Sequence, residues 1–321
     1  MSLCRFHAWI SMIALAPLCV VPAAGQAFPD RPIRIVAGAP GGSSDFAART
    51  VAQGMAKLLG QNVVVENRSF GVQAIENVIR AQPDGYTLLY YGSALWVGPL
   101  LTKLSYDPVR DLTPVAMVLI SPNVLLVHPS VPARSVKELI ALARKEPGKL
   151  NYGSGEAGSS LHIAAELFKY MTNTNIVRVP FKGQGPALIA TLAGEVQMSF
   201  ASAGGLSGHI SQGRVRALAV TGATRSPAYP ELPTVAEAGV PGYESAQRSG
   251  FWVPNRVPGA IMSKLNKTIV QVTRQDSLRE RFAKDGIEPV GSSAAEFDKV
   301  IRSEMARLRK LVEAANLRIP Q

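Results

Sequence analysis

The chain is poor in the side chains that usually announce chemistry. It has two cysteines in 321 residues, Cys4 and Cys19, and both lie in an apolar N-terminal stretch. If that stretch is a cleaved leader, disulfides, thiolate nucleophiles and cysteine-ligated zinc are excluded together. Histidine is scarce too. His128, His162 and His209 are the three beyond the leader, and none sits in H-E-x-x-H. There is no G-x-S-x-G elbow, S-x-x-K pair or G-x-x-x-x-G-K-[ST] loop. Basic residues never run to five in a row, and no basic strand is interleaved with aromatics. No nucleic acid is therefore expected as a partner, and no metal or cofactor is called for.

What is present begins with that leader. Arg5 supplies a positive start, and Ala8 to Val21 is apolar. About 14 residues are too few to span a bilayer. Small residues follow, and Gly25-Gln26-Ala27 has the form of a cleavage site. Residues 1–27 read as a signal peptide, and the mature chain as an exported, periplasmic protein. Losing Arg5 leaves 33 basic against 23 acidic side chains, a charge of +10. That balance suits an anionic partner, although scattered basic residues also suit a plain solvated surface.

From residue 33 strand-like and helix-like segments alternate. PIRIVAG, QNVVVENR and YTLLYYG are strands; FAARTVAQGMAKLLG and VQAIENVIRAQ are helices. The same grammar restarts after residue 129. There SVKELIALARKEPG and LHIAAELFKYM are helices, and KLNYGSG, NIVRVPFKG, EVQMSFAS and RVRALAVTG are strands. A Pro-rich stretch (225–243), the strand SGFWVP and three helices near 258–275, 277–285 and 294–315 close the chain. This is βαβ order, and it predicts mostly parallel sheets flanked by helices.

Two loops stand out: Gly-Gly-Ser-Ser-Asp at 41–45 and Gly-Ser-Gly-Glu-Ala-Gly-Ser-Ser at 153–160. Each enters a helix. A helix start leaves backbone N–H groups unpaired and carries roughly half a positive charge. Glycine lets a ligand approach closely, and serine caps the helix. Together they form an anion site for phosphate, sulfate or carboxylate. Residues 153–158 also spell G-x-G-x-x-G, the dinucleotide fingerprint. No acid follows about 20 residues on, where Arg178-Val179-Pro180-Phe181-Lys182 stands, and the first loop lacks the pattern. His162 and Glu166 share a helix face, a spacing open to a metal or a general base; a hydrogen-bonded histidine is the preferred reading.

The order of FPDRPIRIV, APGGSSDFAAR, VVVENR, AQPDGYTLL, SYDPVRDLTPVA, SPNVLLVHPSVPARSVKELIALAR, PGKLNYGSGEAGSSLHIAAELF, VRVPFKGQGPAL, GRVRALAVTG, LPTVAEAGVPGYE and VGSSAAEF resembles the exported solute receptors of tripartite tricarboxylate transporters, the Bordetella uptake gene family. The resemblance implies an α/β fold of two periplasmic-binding-protein-like lobes, closing on a small carboxylate like a Venus flytrap. It implies lobe 1 at 28–124 plus 252–321 and lobe 2 at 125–251, with crossings near Pro122–Val127 and Gly250–Pro254. The partners would be a di- or tricarboxylate or aromatic acid and the permease subunits of a membrane transporter. The receptor would be a monomer without catalytic residues. A ligand sensor of the same fold and an exported enzyme are the alternatives.

Carried over residue by residue, the ligand loops are Pro40, Gly41, Gly42, Ser43, Ser44 and Asp45, supported by Gly92, Ser93 and Ala94. In the second lobe they are Gly155, Gly158, Ser159, Ser160, His162, Lys182, Gly183 and Ser202. Trp96 and Phe46 lie nearby as candidate walls for an aromatic acid, with core packing as the preferred reading. The chain departs from the family in VENRSFGVQAI, which lacks a Gly-rich run after Arg68. It also has Ala201-Ser202 where relatives carry an acid, which disfavours an amino-acid ligand.

Overall fold

The structure is a computed structural model that describes residues 28–38, 43–68, 71–283, 286–314 and 317. The leader and loop residues Pro40, Gly41 and Gly42 lie outside these.

The apolar run IRIVA forms β1 (Ile33–Ala37), parallel to β2 (Val63–Asn67) and β3 (Thr87–Gly92). Helix α1 (Ser43–Leu59) and α2 (Val72–Ile79) make the crossovers. α1 buries Ala47, Ala48, Val51, Ala52 and Met55, the i, i+4 stripe expected of a helix lying on a sheet. α3 (Ala94–Leu101) follows β3 and is buried almost all round, as its sequence ALWVGPLL requires.

The second set begins with β4 (Leu112–Val127), whose 16 residues run about 50 Å. Then come α4 (Val136–Lys145), β5 (Asn151–Ser154), α5 (Ser160–Thr172), β6 (Val177–Pro180), α6 (Gln184–Leu192), β7 (Met198–Ser202), α7 (Ser207–Ser211) and β8 (Arg216–Val220). β9 (Ala246–Pro254), α8 (Gly259–Thr273), α9 (Asp276–Ala283), β10 (Glu288–Pro289) and α10 (Ala294–Ala314) complete the order.

The strands lie in the order β2-β1-β3-β9-β4-β7-β5-β6, with β8 and β10 also on β4. The parallel pairing that the alternation predicts holds on both flanks, in β2-β1-β3 and in β7-β5-β6. The centre is antiparallel, because β4 and β9 run against each other and against their neighbours. β4 pairs with β9 from Leu112 to Pro122 and with β7 and β8 from Asn123 to Val127. One strand thus belongs to both sets. β9 pairs with β4 from Ala246 onward, just after the Ser245 N–H reaches the Thr221 carbonyl at 2.8 Å.

Helices cover both faces of each set. In the first, one core joins α1, α8 and α9 to the sheet, and another joins α2, α3 and α10. In the second, α4 and α5 cover one face and α6 and α7 the other. The Pro-rich segment 225–243 has no regular element and is held by packing. Val235, Val240 and Tyr243 are buried. The Tyr229 hydroxyl donates to the Ala203 carbonyl at 2.6 Å, and that of Tyr243 to the Ala164 carbonyl at 2.8 Å.

Candidate functional site

The sequence-predicted site residues that the structure describes share one topological position. Each lies at or just beyond the carboxyl end of a strand: 43–45 after β1, 93–94 after β3, 155–162 after β5, 182–183 after β6, and Ser202 at the end of β7. Ligands of α/β sheets bind there, because the loops and helix starts of neighbouring strands converge.

Direct contacts join many of these loops. The Ser93 hydroxyl faces the Gly158 carbonyl at 3.4 Å, linking the end of β3 to the loop after β5. A methyl group at Gly155 would lie 3.2 Å from Gly183, so these two loops meet backbone to backbone. The Ser202 hydroxyl lies 2.8 Å from Gln184 Oε1 and 3.0 Å from Gln247 Oε1. Its single proton is shared between the two carbonyl oxygens. The predicted residues Ser93, Gly155, Gly158, Gly183 and Ser202 are thus drawn together, with β9 as the floor.

The start of α5 is a serine-capped helix N-terminus. Ser159 is the N-cap, its hydroxyl accepting the His162 N–H at 3.4 Å. The next donors, the N–H groups of Ser160 and Leu161, have no partner among the described residues. The Gly158 N–H donates within the loop, to His162 Nδ1 at 3.1 Å. Gly158 has φ +81°, and a methyl group there would sit 3.0 Å from the Gly98 nitrogen in α3. It is glycine so that the loop can rest on α3, a packing role beside the ligand-loop role expected of it.

His162 is buried, and burial together with the charges of Arg178 and Lys169 lowers its pKa from 6.5 to about 3. The ring is neutral, and accepting at Nδ1 puts its proton on Nε2. The metal or base reading fails on geometry, because Glu166 turns instead to the Tyr152 hydroxyl at 2.5 Å and to Lys169 at 2.8 Å. Among the described residues no cluster could hold a metal ion.

Arg178 is the cation that sequence reasoning left out of the site. Its Nε donates to the Ser154 hydroxyl at 2.8 Å and Nη2 to the Gly155 carbonyl at 3.0 Å. It holds the loop from beneath and adds positive charge to it. Sequence gave a signal, an arginine near the end of the next parallel strand, but only strand pairing puts Arg178 opposite Tyr152.

In the first set, Asp45 Oδ1 accepts from Arg49 Nε at 2.9 Å and from Asn67 Nδ2 at 2.7 Å, and the same amide reaches the Gly38 carbonyl at 2.7 Å. Asp45 ties α1 to the ends of β1 and β2. Trp96 is fully buried against Trp252 and Phe297, with its indole N–H on Glu304 at 2.9 Å, so it is core and no wall for an aromatic ligand. Phe46 is half-buried, packs on Phe282 and lies under the Arg281 guanidinium. Lys182 is exposed, and Ala94 opens α3.

This arrangement is that of a solute-binding protein. The chain matches the tripartite tricarboxylate transporter family receptors over residues 47–317, and it belongs to that family. Protein BugT of Bordetella pertussis is 32% identical over 325 residues, covering 99% of this chain and 100% of BugT. Among solved structures, an R. palustris protein with adipate is 35% identical at a TM-score of 0.85, covering 90% of this chain and 98% of that one. MatC from Rhodopseudomonas palustris with bound malate is 29% identical at 0.80, covering 89% of this chain and 100% of that one. The family is one of receptors, and among the described residues no helix is long and apolar enough to cross a membrane.

Proposed function

We propose that this protein is a periplasmic receptor that captures a small carboxylate at the strand-end edge and delivers it to a tripartite transporter in the membrane. The observation that carries the reading is the start of α5, where the N–H groups of Ser160 and Leu161 have no partner among the described residues and Arg178 holds the loop that leads into them. A carboxylate there meets aligned N–H dipoles, serine hydroxyls and a nearby guanidinium. Relatives solved with adipate and with malate support the ligand class.

The two lobes, 28–124 with 252–321 and 125–251, belong to the same reading. The change of partners in β4 at Pro122–Asn123 supports the first boundary. The pairing of β9 from Ala246 favours a second boundary nearer that residue. A ligand touching both lobes favours the closed form by its extra contacts there.

The test is a thermal-unfolding screen of the mature protein against mono-, di- and tricarboxylates, adipate and malate included. A ligand at 100 times its Kd adds about 2.7 kcal/mol of stability. A panel in which no carboxylate raises the midpoint refutes the reading.

A further inference from the structure

The loop after β5 carries an acid that neither the mechanism above nor the fold requires. Glu156 reaches across to the other strand set, where the Tyr91 hydroxyl donates to Oε2 at 3.1 Å and lies 3.5 Å from Oε1. Tyr91 is one residue from the end of β3, two before Ser93. Among the described residues Glu156 forms no ion pair. Arg178 grips the same loop through the Gly155 carbonyl, and Tyr106 is the other titratable group that feels the Glu156 charge. Burial raises the Glu156 pKa, and the hydrogen bond from Tyr91 only partly offsets this.

A glutamine here would accept the same hydrogen bond without a desolvated charge. Joining the two sets therefore does not require a carboxylate. The charge has no counter-ion among the described residues, and it lies in the loop between β5 and α5 that also carries the candidate ligand residues Gly155, Gly158 and Ser159. Two like charges at close range disfavour each other strongly in a partly desolvated site.

Resting on the receptor reading, we infer that Glu156 sets the charge selectivity of the cleft. It excludes a second carboxylate at its end and favours a monocarboxylate that carries a hydrogen-bond donor there, a hydroxyl or an ammonium. The loss of an acid at 201–202 argued against an amino-acid ligand; Glu156 supplies an acid from a different loop.

The experiment is calorimetric titration of the full mature chain at pH 7.5 with three matched sets. These are succinate, 4-hydroxybutanoate and 4-aminobutanoate; adipate, 6-hydroxyhexanoate and 6-aminohexanoate; and terephthalate with 4-hydroxybenzoate. In at least one set the donor-tipped acid binds tenfold or more tightly than its dicarboxylate, and Glu156→Gln cuts that ratio at least tenfold. The variant keeps the Tyr91 contact, and circular dichroism checks its fold. A wild-type preference for the dicarboxylate, or a ratio unmoved by E156Q, overturns the inference and leaves the receptor reading standing. Binding of none of these acids by either protein overturns both.

Discussion

At the residue scale, two ionisable groups, the buried His162 and the half-buried Glu156, pull stability in opposite directions with pH. His162 is held neutral in the fold but takes a proton when unfolded below its ordinary 6.5. Its contribution is complete above pH 6.5 and declines as pH falls toward 3. His162→Asn should flatten that acid limb in urea unfolding; a limb of unchanged slope would assign it to other groups. Glu156 has the opposite sign. Its raised pKa means that the fold is favoured by the protonated form, so stability is lost as pH rises through the raised value. Glu156→Gln should be more stable than wild type at pH 7–8, with the gap closing toward pH 4.5. A variant less stable at pH 8 would show that the carboxylate stabilises the fold. The i, i+4 pairing of Asp45 with Arg49 was legible in sequence, whereas its bond to Asn67, 22 residues on, depends on the pairing of β1 with β2.

At the element scale, most helices and flanking strands follow from apolar period and from their stops. α5 is the clearest case: Ser159 caps its start and Asn173 ends it in the left-handed region. Ser159→Ala should cost about 1 kcal/mol of stability and weaken carboxylate binding, since the cap orients the first turn. Unaltered affinity would separate the ligand site from this helix start. Gly158 is an element-scale residue as well, because it decides how closely the β5 loop lies on α3. Gly158→Ala should destabilise by about 2 kcal/mol or more through φ > 0 and crowding against Gly98. A neutral effect in chemical denaturation would refute that packing. Less legible were α3, whose buried apolar sequence contains Pro99 and lacks a helical stripe, and β4, in which Pro114 and Pro122 interrupt the strand pattern. Both are decided by burial on all sides, which erases the periodicity that marks a half-exposed element.

At the scale of the whole molecule, α5 and the β5 loop pack Ile163, Leu167 and Ala157 into the core shared by α3 and α10. The strand sets therefore meet through apolar contact as well as through β4 and β9. If a ligand closes one set on the other, small-angle scattering should give a smaller radius of gyration with saturating ligand than without. Binding with no change in radius would mean that the cleft is already closed. The sequence by itself determined the alternation of elements, the two Gly/Ser helix starts and the family, because these rest on local period and on residue types at fixed spacing. Only the tertiary structure decided that Gly158 serves packing, that Trp96 is core, that Arg178 braces the loop and that Glu156 meets Tyr91. Each depends on which strand ends become neighbours, and long-range pairing leaves no mark in local spacing.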